Sequence, residues 1–278
     1  MIVGPTASGK TALAVEDALR VGGEVISADS RQVYRELRIG TARPSEEEMR
    51  GVPHHFVGDR SLLTPISAGQ FFREAEARMA DILARGRVPI VAGGSTLYLK
   101  ALRDGLSALP EAAPELRERL TRRLESEGLP SLVAELETLD PATATTLDRR
   151  NPSRVLRALE IVLTTGVPVS ELRARRAVAP SYRYHVRHMN PPRDELYRRI
   201  DARVLKMADA GLHEEVMGLL DAGYSPDLGP FRTIGYAEVI AHIRGALDWP
   251  TTISLIQRNT RHYARRQLTF FRKFFGLQ

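Results

Sequence analysis

The sequence predicts an α/β fold: a mainly parallel sheet flanked by helices, with an all-helical insertion domain set into it. Three observations lead there. A glycine loop, GPTASGKT at residues 4–11, joins a short apolar strand to a helix. Apolar runs and helical patterns then alternate as far as residue 103, the habit of a parallel sheet. From Pro110 to about Pro180 only helical patterns occur, broken by Pro and Gly.

The elements follow in order. Ile2-Val3 ends the first strand, TALAVEDALR (11–20) is a helix and EVISA (24–28) is a second strand. Residues 68–85 form a helix, because Phe71, Phe72, Ala75, Met79 and Ile82 recur near helical spacing. Gly86 stops it, and VPIVA (88–92) is a third strand. Gly93-Gly94-Ser95-Thr96 then turns into a helix over 97–103. PELRERLTRRLESEG, PSLVAELETLD and NPSRVLRALEIVLTTG are helices of the insert. YHVRHM (184–189) alternates like a strand returning to the sheet, and the remainder is helical. The expected domains are a core of 1–108 with 181–278 and an insert of 109–180. Only Met1, Ile2 and Val3 precede the loop, against about five or six residues in a usual strand. Either this strand is unusually short or the true start lies upstream.

Composition narrows the class. The chain has 278 residues, 43% hydrophobic and 27% charged, ordinary for a soluble globular protein. No apolar run approaches the roughly 20 residues of a membrane span, and no secretory signal is visible. The absence of cysteine excludes disulfides and thiolate metal sites, and suits a cytoplasmic protein. The net charge of +6 is weak evidence for a polyanionic partner until its placement is considered.

Gly4, Pro5, Thr6, Ala7, Ser8, Gly9, Lys10 and Thr11 fit G-x-x-x-x-G-K-[ST], the loop of P-loop NTPase-like folds. Backbone N–H groups curl around an anion there, and the following helix start adds partial positive charge. Lys10 supplies a mobile cation, and the Thr11 hydroxyl can hold Mg²⁺. The motif specifies a diphosphate or triphosphate but not the reaction. Asp29 lies just past the second strand, where ligand crevices open in α/β sheets. It reads equally as a base, a metal ligand or a turn cap. No apolar run ends in an acidic pair suited to an ATPase, so hydrolysis is poorly supported. His54-His55 lacks further ligands at metal spacing and reads as a polar or hydrogen-bonded pair.

The arginines carry the strongest signal. In RNTRHYARRQLTFFRK, Arg258, Arg261, Arg265 and Arg272 share a helix face opposite Ile256, Tyr263, Phe270 and Phe274. No acid falls between Ile253 and Gln278, so the stripe is without counterions and suits a polyanion longer than one nucleotide. Further clusters are Arg149, Arg150, Arg154 and Arg157, and Arg198, Arg199 and Arg203; Glu160 and Asp201 are available to pair with some of them.

Six motifs, GPTASGKT, SADSRQVYREL, VAGGSTLYLKAL, NPSRVLRALEI, FRTIGYAE and TRHYARRQLTFFRK, together resemble the tRNA dimethylallyltransferases, also called tRNA isopentenyltransferases. The resemblance runs from Gly4 to about Lys273. It implies transfer of a five-carbon group from dimethylallyl diphosphate to the exocyclic amine of the adenine 3′ of the anticodon, releasing diphosphate. By motif position it makes Asp29 the base and Arg203 a diphosphate ligand, with Thr6–Thr11 around the donor and Mg²⁺ on Thr11. It places Asp29, Ser30, Arg31 and Gln32 at the flipped adenine, and Ser95, Arg117, Ser153, Arg154, Arg232, Gly235 and Tyr236 against tRNA. Arg157, Arg261 and Arg265 join them as basic neighbours. The insert would grip the anticodon stem. Thr96 and Phe270 depart from residues the family often carries there, but neither change removes a charged or catalytic group. With no cysteine-histidine zinc finger, the chain resembles the short bacterial form, a monomer with no obligate protein partner. The competing readings are an ATP-using kinase, an enzyme prenylating free AMP or ATP, and a tRNA-binding module without catalysis.

Overall fold

The computed structural model describes residues 1–106, 109, 113–174 and 178–277. It divides into two compact units, Met1–Asp104 with Pro180–Gln278, and Gly105–Ala179. In chain order the first unit holds β1 (Ile2–Val3), α1 (Lys10–Val21), β2 (Glu24–Ala28), α2 (Glu46–Met49), β3 (His54–His55), α3 (Ala68–Ala84), β4 (Pro89–Gly93) and α4 (Thr96–Asp104). The second unit holds α5 (Pro114–Glu127), α6 (Leu129–Leu139), α7 (Pro141–Thr146), α8 (Pro152–Thr165) and α9 (Val169–Ala174). The chain returns to the first with β5 (Arg187–His188), α10 (Arg193–Asp209), α11 (Leu212–Asp221), α12 (Tyr236–Ile243) and α13 (Trp249–Phe275).

The sheet is parallel in the order β3-β2-β4-β1-β5. Helices cover its faces, which is why β2 is buried at every residue and reads as an unbroken apolar run. Ile2, Ala14, Val15, Ala18, Val25, Ile90 and Ala92 pack α1 onto the sheet. Phe71 of α3 stacks on Tyr98 of α4 with ring centroids 4.0 Å apart. The helix starts are locally encoded: Ser67 and Gln70 form a capping box at α3, and Asp248 caps α13.

Two strands differ from expectation. The alternation over 184–189 yields only Arg187–His188, because β1 offers so little chain to pair with. The Arg187 and Met189 N–H groups donate to Met1 and Val3 carbonyls, both at 2.8 Å, and the ladder ends there. His54-His55 forms β3 beside β2, which no side-chain alternation announces. His55 Nε2 lies 2.7 Å from the buried Glu24 carboxylate, and Arg85 also pairs with that carboxylate. The Arg85 hydrogen bond, with His55 assisting, holds Glu24 down at a pKa of about 2.

The second unit has its own core. Leu120, Leu132, Leu136, Val155, Leu159, Ile161 and Val162 are buried where α5, α6 and α8 meet. Asp140 ties α7 to α9: its carboxylate accepts the Thr143 N–H at 3.0 Å, the Ser170 hydroxyl at 2.8 Å and the Ser170 N–H at 3.0 Å.

Candidate active site

Left-handed conformation at Ala7 (φ 61°) and Gly9 (φ 89°) turns the 4–11 loop. This curls successive N–H groups into an anion-binding nest that ends on the start of α1. Gly4 is packed too tightly for a side chain, since a Cβ would lie 2.6 Å from the Met189 carbonyl oxygen. Lys10 Nζ folds back onto the Pro5 carbonyl at 2.5 Å. Burial lowers the Lys10 pKa to about 7, with Asp29 opposing the shift and Arg203 adding to it.

α10 brings Arg203 across to the loop, where its guanidinium donates to the Thr6 hydroxyl. Burial lowers its pKa too, opposed by Asp29. Asp29 follows the end of β2. Its Oδ1 accepts the Arg31 N–H at 2.8 Å and the Gln32 N–H at 3.2 Å, so the turn-cap reading of this residue is true. The same carboxylate lines two cavities and is thereby available for chemistry as well.

One cavity, about 660 Å³, is lined by Thr6–Thr11, Asp29, Gln32, Arg199, Arg203, Lys206 and Tyr263. The other, about 350 Å³, is lined by Asp29, Ser30, Arg31, Arg203, Arg232, Ile256, Tyr263 and Arg266. Thr6, Asp29, Thr41, Arg203 and Tyr263 belong to both. A pocket walled by the glycine loop and a cationic second pocket therefore meet at one carboxylate. Burial raises the Tyr263 hydroxyl to about 12, with the Asp29 charge adding to the shift.

The predicted residues fall into three groups. Ser30, Arg31 and Arg232 line the second cavity, whereas Gln32 faces the first, its amide donating to the Thr41 and Ala42 carbonyls at 3.2 and 2.9 Å. Ser95 is buried and its Oγ accepts the Ser30 N–H at 2.8 Å, so it shapes that loop from beneath. Tyr236 is fully buried and its hydroxyl donates to Glu215. Glu215 in turn accepts the Arg38, Ile39 and Gly40 N–H groups at 3.1, 2.9 and 3.3 Å. The Tyr236 side chain thus holds the 38–41 loop and is not presented to a ligand. Gly235 (φ 100°) starts α12, its N–H donating to Glu238 at 2.7 Å. In the second unit Ser153 and Arg154 are exposed at the start of α8. Arg117 and Arg157 instead flank the buried Glu160, at 2.7 and 3.3 Å.

The α13 face assignment needs correction. Thr252, Ile256, Thr260, Ala264, Gln267, Phe271 and Phe275 are buried, while Tyr263, Phe270 and Phe274 are only partly so. The buried face is rotated from the expected aromatic side because Ala264 packs against α10 and Gln267 reaches the phosphate loop. Arg258, Arg265 and Arg272 are exposed as expected. Arg261 is not without a counterion: it pairs with Asp201 of α10, which no reading of its own helix reveals. Arg199, Lys206 and Arg266 also line the cavities, and their basic character is the one mark of this in the sequence. Gln267 lines the first of them as well, and its neutral amide carries no such mark.

The fold and site define a class of protein: a phosphate-loop α/β enzyme with a carboxylate between an anion pocket and a second, basic pocket. The model of the IPP transferase family matches residues 32–274. The chain is 47% identical over 274 residues to the tRNA dimethylallyltransferase of Salinibacter ruber, spanning 98% of this chain and 84% of the relative. It is 48% identical over 273 residues to tRNA dimethylallyltransferase 1 of Trichlorobacter lovleyi, spanning 98% and 90%. Among solved structures it is similar to the full-length tRNA isopentenylpyrophosphate transferase of Bacillus halodurans, at 38% identity, TM-score 0.68 and coverage of 98% and 85%. It is also similar to a eukaryotic dimethylallyltransferase acting on tRNA, at 28% identity, TM-score 0.83 and coverage of 97% and 68%. The chain belongs to the IPP transferase family.

Proposed function

We propose that this protein transfers a dimethylallyl group from dimethylallyl diphosphate to the exocyclic amine of the adenine 3′-adjacent to the anticodon in tRNA. The observation that carries the reading is the meeting of the two cavities at Asp29, Thr6 and Arg203. A diphosphate seated on Thr6–Thr11 directs its allylic carbon toward the carboxylate, and an adenine entering the second cavity reaches it from the other side. Such an adenine has left the anticodon stack.

In the transfer step the N6–C1 bond forms and the C1–O bond to diphosphate breaks. The proton lost from N6 passes to Asp29, whose Oδ1 is engaged by the Arg31 and Gln32 N–H groups, making Oδ2 the acceptor. The loop N–H groups, Lys10 and Arg203 take up the charge that develops on the departing oxygen. Ser30, Arg31 and Arg232 orient the adenine and its neighbours. Arg265 on α13, and Ser153 and Arg154 in the helical unit, contact the RNA backbone. That unit grips the anticodon stem. Among the described residues no three His, Asp or Glu side chains cluster to form a metal cage. The Thr11 hydroxyl, which lines the loop cavity, would hold Mg²⁺ there. The ion would neutralise diphosphate charge as it leaves. No helix of the described residues is long and apolar enough to cross a membrane.

The test is a transfer assay with Mg²⁺, radiolabelled dimethylallyl diphosphate and unmodified tRNA bearing the target adenine, AMP replacing tRNA in parallel, and no ATP. Label in tRNA alone supports the reading. Label in AMP alone assigns a free-nucleotide acceptor. No label in either, with phosphate transfer once ATP is added, refutes prenyl transfer.

A further inference from the structure

We infer that Gln267 is a positioning residue, a single amide that holds the phosphate loop at a set distance from the loop carrying Asp29. The inference rests on the donor and acceptor roles proposed above. Gln267 lies on the inward face of α13 and is 2% exposed. Its Oε1 accepts the Thr6 N–H at 2.8 Å, and its Nε2 donates to the Gly94 carbonyl at 2.8 Å. Thr6 is the loop residue whose hydroxyl Arg203 engages. Gly94 opens the segment after β4, and its neighbour Ser95 continues the connection. The Ser95 N–H donates to the Ala28 carbonyl at 3.0 Å, and its Oγ accepts the Ser30 N–H at 2.8 Å and donates to Ser30 Oγ at 3.0 Å.

Hydrogen bonds joined by the Gly94–Ser95 peptide thus lead from the donor loop, through one side chain, to the residue next to the proposed base. A Gln amide offers an acceptor and a donor on one rigid planar group at every ordinary pH, and Asn is a methylene too short to keep this reach. Gly94 is matched to it, since a Cβ there would overlap Gln267 Nε2. Both partners are backbone groups, so losing the amide orphans an N–H and a C=O together. Drift of the loop by about 1 Å relative to Asp29 is enough to cost up to about 10²-fold in rate.

The experiment compares Gln267→Met and Gln267→Glu with the unaltered chain. Amide hydrogen exchange at Thr6, read without donor or tRNA, accelerates at least tenfold in the Met variant while α13 amides remain protected. Single-turnover prenyl transfer falls about 10- to 100-fold, while tRNA affinity stays within about twofold. In the Glu variant a charged carboxylate cannot donate to Gly94, but the protonated acid has the same shape and reproduces both bonds. Its rate relative to the unaltered chain therefore recovers as pH falls. Unchanged Thr6 exchange overturns the inference, whether or not the unaltered chain transfers a prenyl group. So does a flat relative pH profile, or loss of tRNA affinity in step with rate. An unaltered chain that transfers nothing, with Thr6 exchange accelerated in the variant, refutes the proposed reaction and supports the clamp.

Discussion

Replacing Asp29 by Asn removes the proposed base while preserving its turn. Asp29 Oδ1 accepts the Arg31 N–H at 2.8 Å and the Gln32 N–H at 3.2 Å, and an Asn Oδ1 can accept both. What disappears is the oxygen proposed to receive the N6 proton. A positioned general base contributes roughly 10²–10⁴-fold, or about 3–5.5 kcal/mol of barrier, so the single-turnover rate is expected to fall by that factor. The charge also matters. Asp29 opposes the lowering of the Lys10 and Arg203 pKa values by burial, so its loss takes Lys10 further below about 7. Donor binding then weakens, and the measurement must use saturating labelled dimethylallyl diphosphate and pre-bound tRNA in a rapid-quench assay. Asp29→Ala serves as the contrast. It loses the base and orphans two N–H groups, and so falls short of Asn in thermal stability as well as matching its rate defect. A full single-turnover rate for Asp29→Asn at saturating donor refutes the base assignment.

The other predictions follow from the same geometry. With Lys10 near pKa 7 in the free protein, a bound diphosphate raises that value, so the complex holds more protons than the free protein above pH 7. Donor affinity, followed by calorimetry from pH 7.5 to 9, falls toward about tenfold per pH unit, and a flat profile removes Lys10 from the anion site. Arg265→Ala weakens tRNA binding and lowers the slope of log affinity against log salt by about 1; an unchanged slope takes that arginine out of the interface. Tyr236→Phe loses a buried hydrogen bond to Glu215 and lowers unfolding free energy by about 1.5–3 kcal/mol in urea titration, with tRNA affinity otherwise kept. Gly93→Ala drives a Cβ into the Ala28 carbonyl between two central strands and costs about 1–3 kcal/mol by the same titration.

Much of the site was legible because its chemistry is local. The phosphate loop needs glycine and left-handed backbone at fixed spacing, so GPTASGKT announced it, and the turn at Ala7 and Gly9 bears that out. Asp29 could be placed at a strand end but not assigned to one role, since a turn cap and a site carboxylate use the same residue type. The structure has it do the first and places it between two cavities. β3 was not legible. Two histidines make a strand only because β2 offers an edge and Glu24 a partner, both distant in sequence.

What the sequence determined by itself was the set of local propensities. These are the alternation of strand and helix, the caps of α3 and α13, the anion-binding loop and the run of cations near the C-terminus. Each depends on residues within a few positions of one another. What only the tertiary structure decided was pairing across distance. Arg261 meets Asp201, Arg117 and Arg157 meet Glu160, Tyr236 turns inward to Glu215, and Gln267 reaches both Thr6 and Gly94. A charged or amide side chain carries no mark of its partner. Whether it faces solvent, a ligand or a buried counter-group is settled by helix rotation and packing, and these depend on the whole fold.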